Sequence, residues 1–142
     1  MPREHSLLIV ENDAALLDLL TRNFIQRGYA VTPVHHPRQA LEAATIKSFE
    51  LALLDGSLPE RDGIWLTREL KLRIADLQVI ILSAHSDPAF QAKCLDSGAF
   101  AYLRKPCSLA DLEATFELAL EERASADEAP SAERFVESNC LQ

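Results

Sequence analysis

Residues Leu51-Ala52-Leu53-Leu54-Asp55-Gly56-Ser57-Leu58-Pro59 set four consecutive apolar side chains against an aspartate, then a turn carrying glycine and proline. A run that is apolar at every position, rather than at alternate ones, describes a strand covered on both faces, and such strands belong to parallel sheets flanked by helices. Leu7-Leu8-Ile9-Val10 upstream and Val79-Ile80-Ile81-Leu82 downstream read the same way, so these three are the expected central strands. Ala30 to Val34 carries Thr32 and Pro33, and Ala101 to Arg104 is short and mixed. Both are expected at the sheet margins, where a missing N–H is tolerated. Amphipathic segments alternate with these runs from Leu7 to about Arg123, giving five βα units and an α/β fold.

The intervening helices follow from spacing. Leu16, Leu17, Leu20 and Phe24 share one face, and Gly28 supplies a stop. Pro37 opens the second helix, with Ala40, Leu41 and Ala44 inward; Ile64 and Leu70 anchor a third after Gly63. Ala89, Ala92 and Leu95 predict the inner face of a short fourth helix ended by Gly98. In the fifth, Ser108 with Asp111 resembles a capping box, and Leu109, Leu112, Phe116 and Leu120 form an apolar stripe.

The length of 142 residues suits one domain and a tail rather than two domains. The net charge of −8, with no concentrated basic patch, disfavours direct nucleic-acid binding. Cys94, Cys107 and Cys140 are an odd number without C-x-x-C spacing, which argues against a disulfide framework or a zinc site and for reduced thiols. No apolar run approaches the roughly 20 residues that span a bilayer, so the expected location is cytoplasmic. After Arg123 the large apolar residues thin to Phe135, Val136 and Leu141. Residues 1–123 are therefore read as the domain and 124–142 as an acidic, flexible tail, with Phe135-Val136 the one hint of docking.

Ligands of parallel α/β sheets bind beyond the carboxyl ends of the strands, which directs attention to the polar residues after each apolar run. These are Glu11, Asn12 and Asp13 after the first, Asp55 after the third, Ser83-Ala84 after the fourth and Lys105-Pro106 after the fifth. An aspartate held at a strand end can attack phosphorus if a cation neutralises the phosphoryl oxygens. Magnesium suits such a site because it prefers oxygen ligands and is commonly held by one or two carboxylates together with phosphate oxygens. A lysine adds a point charge and a serine hydroxyl a hydrogen bond. Taken singly, each of these residues has an ordinary role as well: Asn12 or Asp13 as a helix cap, Ser83 bonded to backbone, Lys105 solvated.

In this order the residues resemble the receiver domain of two-component response regulators, over about residues 6 to 122. The resemblance rests on Leu8-Ile9-Val10-Glu11-Asn12-Asp13, Leu53-Leu54-Asp55-Gly56-Ser57-Leu58-Pro59 with Asp62-Gly63, Ile80-Ile81-Leu82-Ser83-Ala84, and Gly98-Ala99 leading to Tyr102-Leu103-Arg104-Lys105-Pro106. It implies a doubly wound, flavodoxin-like three-layer sandwich of the chemotaxis type, with strand order 2-1-3-4-5. It further implies that Asp55 accepts a phosphoryl group from a phosphohistidine on a sensor histidine kinase or phosphotransfer protein. Lys105 would contact the phosphoryl oxygens, and Ser83 and Tyr102 would form the switch. Magnesium would be held by Glu11, Asn12, Asp55 and the backbone carbonyl of Ser57. A cis Lys105–Pro106 bond would aim the lysine at the site. By the same resemblance, Ser57 and His85 would occupy positions that tune hydrolysis of the acyl phosphate, without being catalytic. Output would pass to a downstream protein target, and a homodimer through the fourth helix, fifth strand and fifth helix, with Lys93, Asp96 and Glu117 as candidate cross-contacts, stays open.

One position departs from the family pattern. Receivers carry two consecutive acids after the first strand, and the second binds the metal directly; here that residue is Asn12. An amide oxygen still coordinates magnesium but lacks formal charge, so weakened rather than abolished metal binding and phosphorylation are expected. Two readings follow: a phosphorylatable switch, or a pseudo-receiver that binds its partner without phosphorylation. An aspartyl-phosphate hydrolase is a third, but it needs an acid two residues after the nucleophile, where this chain has Ser57. The chain is therefore expected to be a phosphoryl acceptor with at most slow self-dephosphorylation, not an enzyme. His35 and His36 read as loop residues, and Trp65 as packed partly against its own helix or the surface, with exposure making it a candidate contact.

Overall fold

The computed structural model describes residues 4–58 and 62–126. Five strands alternate with five helices: β1 His5–Val10, α1 Ala14–Gln26, β2 Tyr29–Val34, α2 Pro37–Ile46, β3 Leu51–Asp55, α3 Gly63–Arg73, β4 Gln78–Ser83, α4 Pro88–Asp96, β5 Ala101–Arg104 and α5 Leu109–Ala126. The strands form one parallel sheet in the order β2-β1-β3-β4-β5. The three uniformly apolar runs are central, and the strand bearing Pro33 is at an edge, as its missing N–H requires. This is the flavodoxin-like arrangement.

Alternation along each central strand feeds two separate cores. Leu8, Val10, Ala52, Leu54, Val79 and Ile81 pack against Ala40 and Ala44 of α2, Leu66 and Leu70 of α3, and Cys94 of α4. The residues between them, Leu7, Ile9, Leu51, Leu53, Ile80 and Leu82, meet Leu20 and Phe24 of α1 and Leu112, Phe116 and Ala119 of α5. On this second side Phe24, Tyr29 and Phe116 form an aromatic cluster with centroids 5.0–5.7 Å apart.

Two helices end on glycines at positive φ, Gly28 at +95° after α1 and Gly98 at +114° after α4, a conformation that glycine adopts without a Cβ clash. Pro37 opens α2 as expected, and the Ser108 hydroxyl accepts the Asp111 N–H at 3.0 Å at the start of α5. The inner face of α4 differs from its expected one. Ala89 and Ala92 are exposed; Cys94 is buried, and Phe90 and Leu95 pack beside it. Burial, then the charge of Asp62, pushes the Cys94 thiol up to about 12, so it is a packing residue and not a nucleophile.

The expected domain boundary at Arg123 falls inside α5, which continues to Ala126. Phe135, Val136 and Cys140 lie outside the described residues. No described helix is long and apolar enough to cross a membrane.

Candidate phosphoacceptor site

Asp55 and Ser83 are the last residues of β3 and β4, and the register pairs Asp55 with Leu82 and Ser83 with Arg104. The same strand-end rule places Glu11 directly after β1 and Lys105 directly after β5. Two carboxylates, a hydroxyl and an ammonium therefore sit at or directly after the carboxyl ends of four strands, which brings them to one end of the sheet.

The Lys105 ammonium joins the acids. Its Nζ lies 3.3 Å from Glu11 Oε1 and 3.6 Å from Asp55 Oδ1. Glu11 is only 3% exposed and Asp55 8%. The second oxygen of Glu11 accepts the Asp13 N–H at 3.0 Å, and Asp55 Oδ1 accepts the Ser57 N–H at 3.0 Å. The Lys105 N–H donates to the Ser83 carbonyl at 2.8 Å, and the Lys105–Pro106 bond is cis. Burial raises the Glu11 carboxyl above its usual range. The Asp13 N–H and Lys105 lower it, while the neighbouring Asp55 raises it further.

One ammonium thus faces two crowded carboxylates, an arrangement that a further cation would relieve. Among the described residues, no group of three His, Cys, Asp or Glu side chains could hold a metal alone. A magnesium ion would have to draw on Glu11 and Asp55 together with the Asn12 amide and the Ser57 carbonyl. All of these are oxygen donors, and they fit the ion's chemistry. Asn12 itself is exposed, and Asp13 caps α1 by accepting the Ala15 and Leu16 N–H groups at 3.0 and 3.2 Å.

Ser83 is 1% exposed, and its Oγ accepts the His85 N–H at 3.1 Å. Tyr102 is buried, and its hydroxyl donates to the His85 carbonyl at 2.5 Å. Burial raises the Tyr102 hydroxyl above its ordinary value, with Ser83 working in the opposite direction, so it stays a donor. Two features were not read from the sequence. Gly56 is one: a Cβ there would meet Cβ and Oγ of Ser83 at 2.6 Å, so its lack of a side chain admits Ser83 beneath the loop after β3. The other is the bond shared by Ser57 Oγ and His85 Nε2 at 3.0 Å, across two loops. Away from the site, His36 Nδ1 accepts the Arg38 N–H at 3.1 Å and caps α2, and Trp65 is half-buried against the core.

Residues 7–117 match the family model of the response regulator receiver domain. The transcriptional activator protein PfeR of Pseudomonas aeruginosa is 38% identical over 128 residues, which are 90% of this chain and 41% of that protein. The transcriptional regulatory protein ZraR of Escherichia coli K12 is 34% identical over 121 residues, 85% of this chain and 27% of that protein. This chain spans less than half the length of either relative. Among solved structures, a receiver domain protein described as CheY-like from Methanospirillum hungatei superposes with a TM-score of 0.83 at 26% identity, covering 87% of this chain and 98% of that one.

Proposed function

Because the chain belongs to the response regulator receiver domain family, we propose that Asp55 accepts a phosphoryl group from a phosphohistidine on a sensor histidine kinase or phosphotransfer protein. The observation that carries this reading is Lys105 Nζ set between Glu11 and Asp55 at the ends of three parallel strands. A carboxylate oxygen of Asp55 forms the new O–P bond as the N–P bond of the donor breaks, and the electron pair of that bond returns to the imidazole nitrogen. In this reading Lys105 supplies a fixed positive charge to the phosphoryl oxygens, and the Ser83 hydroxyl donates to them. Magnesium, when bound, supplies further positive charge against the same oxygens.

Release of the group by water is slow in this reading, since the position two after Asp55 is Ser57 and offers no carboxyl to act as general acid. The chain is then an acceptor that hands its state to a protein target through a changed surface, and its acidity disfavours a nucleic-acid target.

The exposed, uncharged Asn12 favours a second reading, a pseudo-receiver that binds its partner without phosphorylation. One experiment separates the two. The chain is incubated with acetyl phosphate and magnesium and its intact mass recorded. The first reading expects a gain of one phosphoryl group that Asp55→Asn abolishes. No gain in the wild type selects the pseudo-receiver, and a gain that persists in Asp55→Asn overturns Asp55 as acceptor.

A further inference from the structure

His85 follows β4 by two positions and is exposed, yet its backbone N–H, its carbonyl and its ring Nε2 are all hydrogen-bonded. Its ring Nε2 shares a hydrogen bond with Ser57 Oγ at 3.0 Å, in the loop after β3. Its N–H donates to Ser83 Oγ at 3.1 Å, and its carbonyl accepts the Tyr102 hydroxyl of β5. The ring also packs against Phe90 of α4, with centroids 5.0 Å apart, and Phe90 in turn meets the Tyr102 ring edge-on at 6.1 Å. An exposed side chain held in one orientation gives up rotamer freedom, which these contacts must outweigh.

From these contacts we infer that His85 is a positioning residue through which a group arriving on Asp55 moves α4. The chain of contacts is short. Ser57 donates its N–H to Asp55 Oδ1, so its backbone registers any change in the charge or bonding of that oxygen. Its hydroxyl passes the displacement to the His85 ring, and the ring bears on Phe90, the third residue of α4. This side-chain route runs beside the one through Ser83 and Tyr102, and His85 is where the two meet, since its ring bonds to Ser57 and its backbone to Ser83 and Tyr102. Coupling of this kind needs packed groups with more than one arrangement, and a hydroxyl–imidazole bond across two loops can break and reform without disturbing the sheet.

The inference rests on Asp55 as the phosphoryl acceptor, and its test keeps the two apart. The 15N-labelled full chain is titrated with beryllofluoride and magnesium, a non-covalent phosphoryl mimic, and amide resonances are followed in the loop after β3 and in α4. Wild type is expected to shift in both regions. His85→Ala is expected to keep the shifts near Asp55 and lose those in α4. Ser57→Ala cuts the same bond from the other side and is expected to reproduce His85→Ala. Undiminished α4 shifts in His85→Ala or in Ser57→Ala overturn the role of His85 while leaving Asp55 as acceptor. Absence of any shift in the wild type overturns the acceptor reading itself, and the inference with it.

Discussion

At position 12 the difference between a carboxylate and an amide is one unit of charge on an exposed side chain next to two buried acids and one ammonium. Hard-cation affinity follows the charge count of the ligands, so Asn12→Asp is expected to tighten magnesium binding about tenfold. Calorimetric titration of both chains with magnesium chloride measures this, and equal affinities would remove residue 12 from the metal-holding set. Glu11, Asp55, Ser83 and Lys105 were readable in the sequence because each ends or follows an apolar run, and strand ends are local features. Gly56 against Ser83 and Ser57 against His85 were not. Each pair brings together residues 27 or 28 apart, from two loops whose meeting depends on how β3 lies beside β4.

At the scale of elements, α5 and α4 show opposite outcomes for physical reasons. The start of α5 is marked by Ser108, and its buried stripe uses Leu112 and Phe116, side chains too large to leave in solvent cheaply. Over nine residues, α4 offers Ala89 and Ala92, which fit either face, and the stripe is decided instead by Phe90 and Cys94, four apart. An alanine pattern carries little information about direction, since burying a methyl gains little. Replacing Ser108 by alanine removes the acceptor of the Asp111 N–H, and α5 supplies much of one core layer. Ser108→Ala is therefore expected to lower unfolding free energy by about 1 kcal/mol, read as a shift in urea midpoint with an unchanged slope.

Across the whole molecule, the sheet has a chemical end and a structural end. Opposite the Asp55 edge, Glu50 is buried before β3 and accepts the Ser6 N–H at 3.1 Å. His5 Nδ1 approaches the same carboxylate at 3.2 Å and Arg123 Nη1 at 3.4 Å. Arg123 also reaches Asp76, with Nη2 3.0 Å from Oδ2 and Nε donating to the carbonyl at 3.3 Å. This arginine fastens the end of α5 to Glu50, the residue before β3, and to the turn before β4, at the position where composition alone had suggested that the domain stops. A residue that looks terminal in sequence is thus a tie in space, because α5 runs back along the sheet to the strand starts. Removing it leaves a buried carboxylate short of a charged partner, at a cost of about 1–3 kcal/mol. Arg123→Ala is expected to lower the unfolding free energy by that amount, read from the urea midpoint at unchanged slope, and to leave acetyl-phosphate labelling at the wild-type rate in the absence of denaturant. A slowed labelling rate in a fully folded Arg123→Ala chain would show instead that the two ends of the sheet are coupled, and that the Glu50 cluster takes part in the chemistry at a distance.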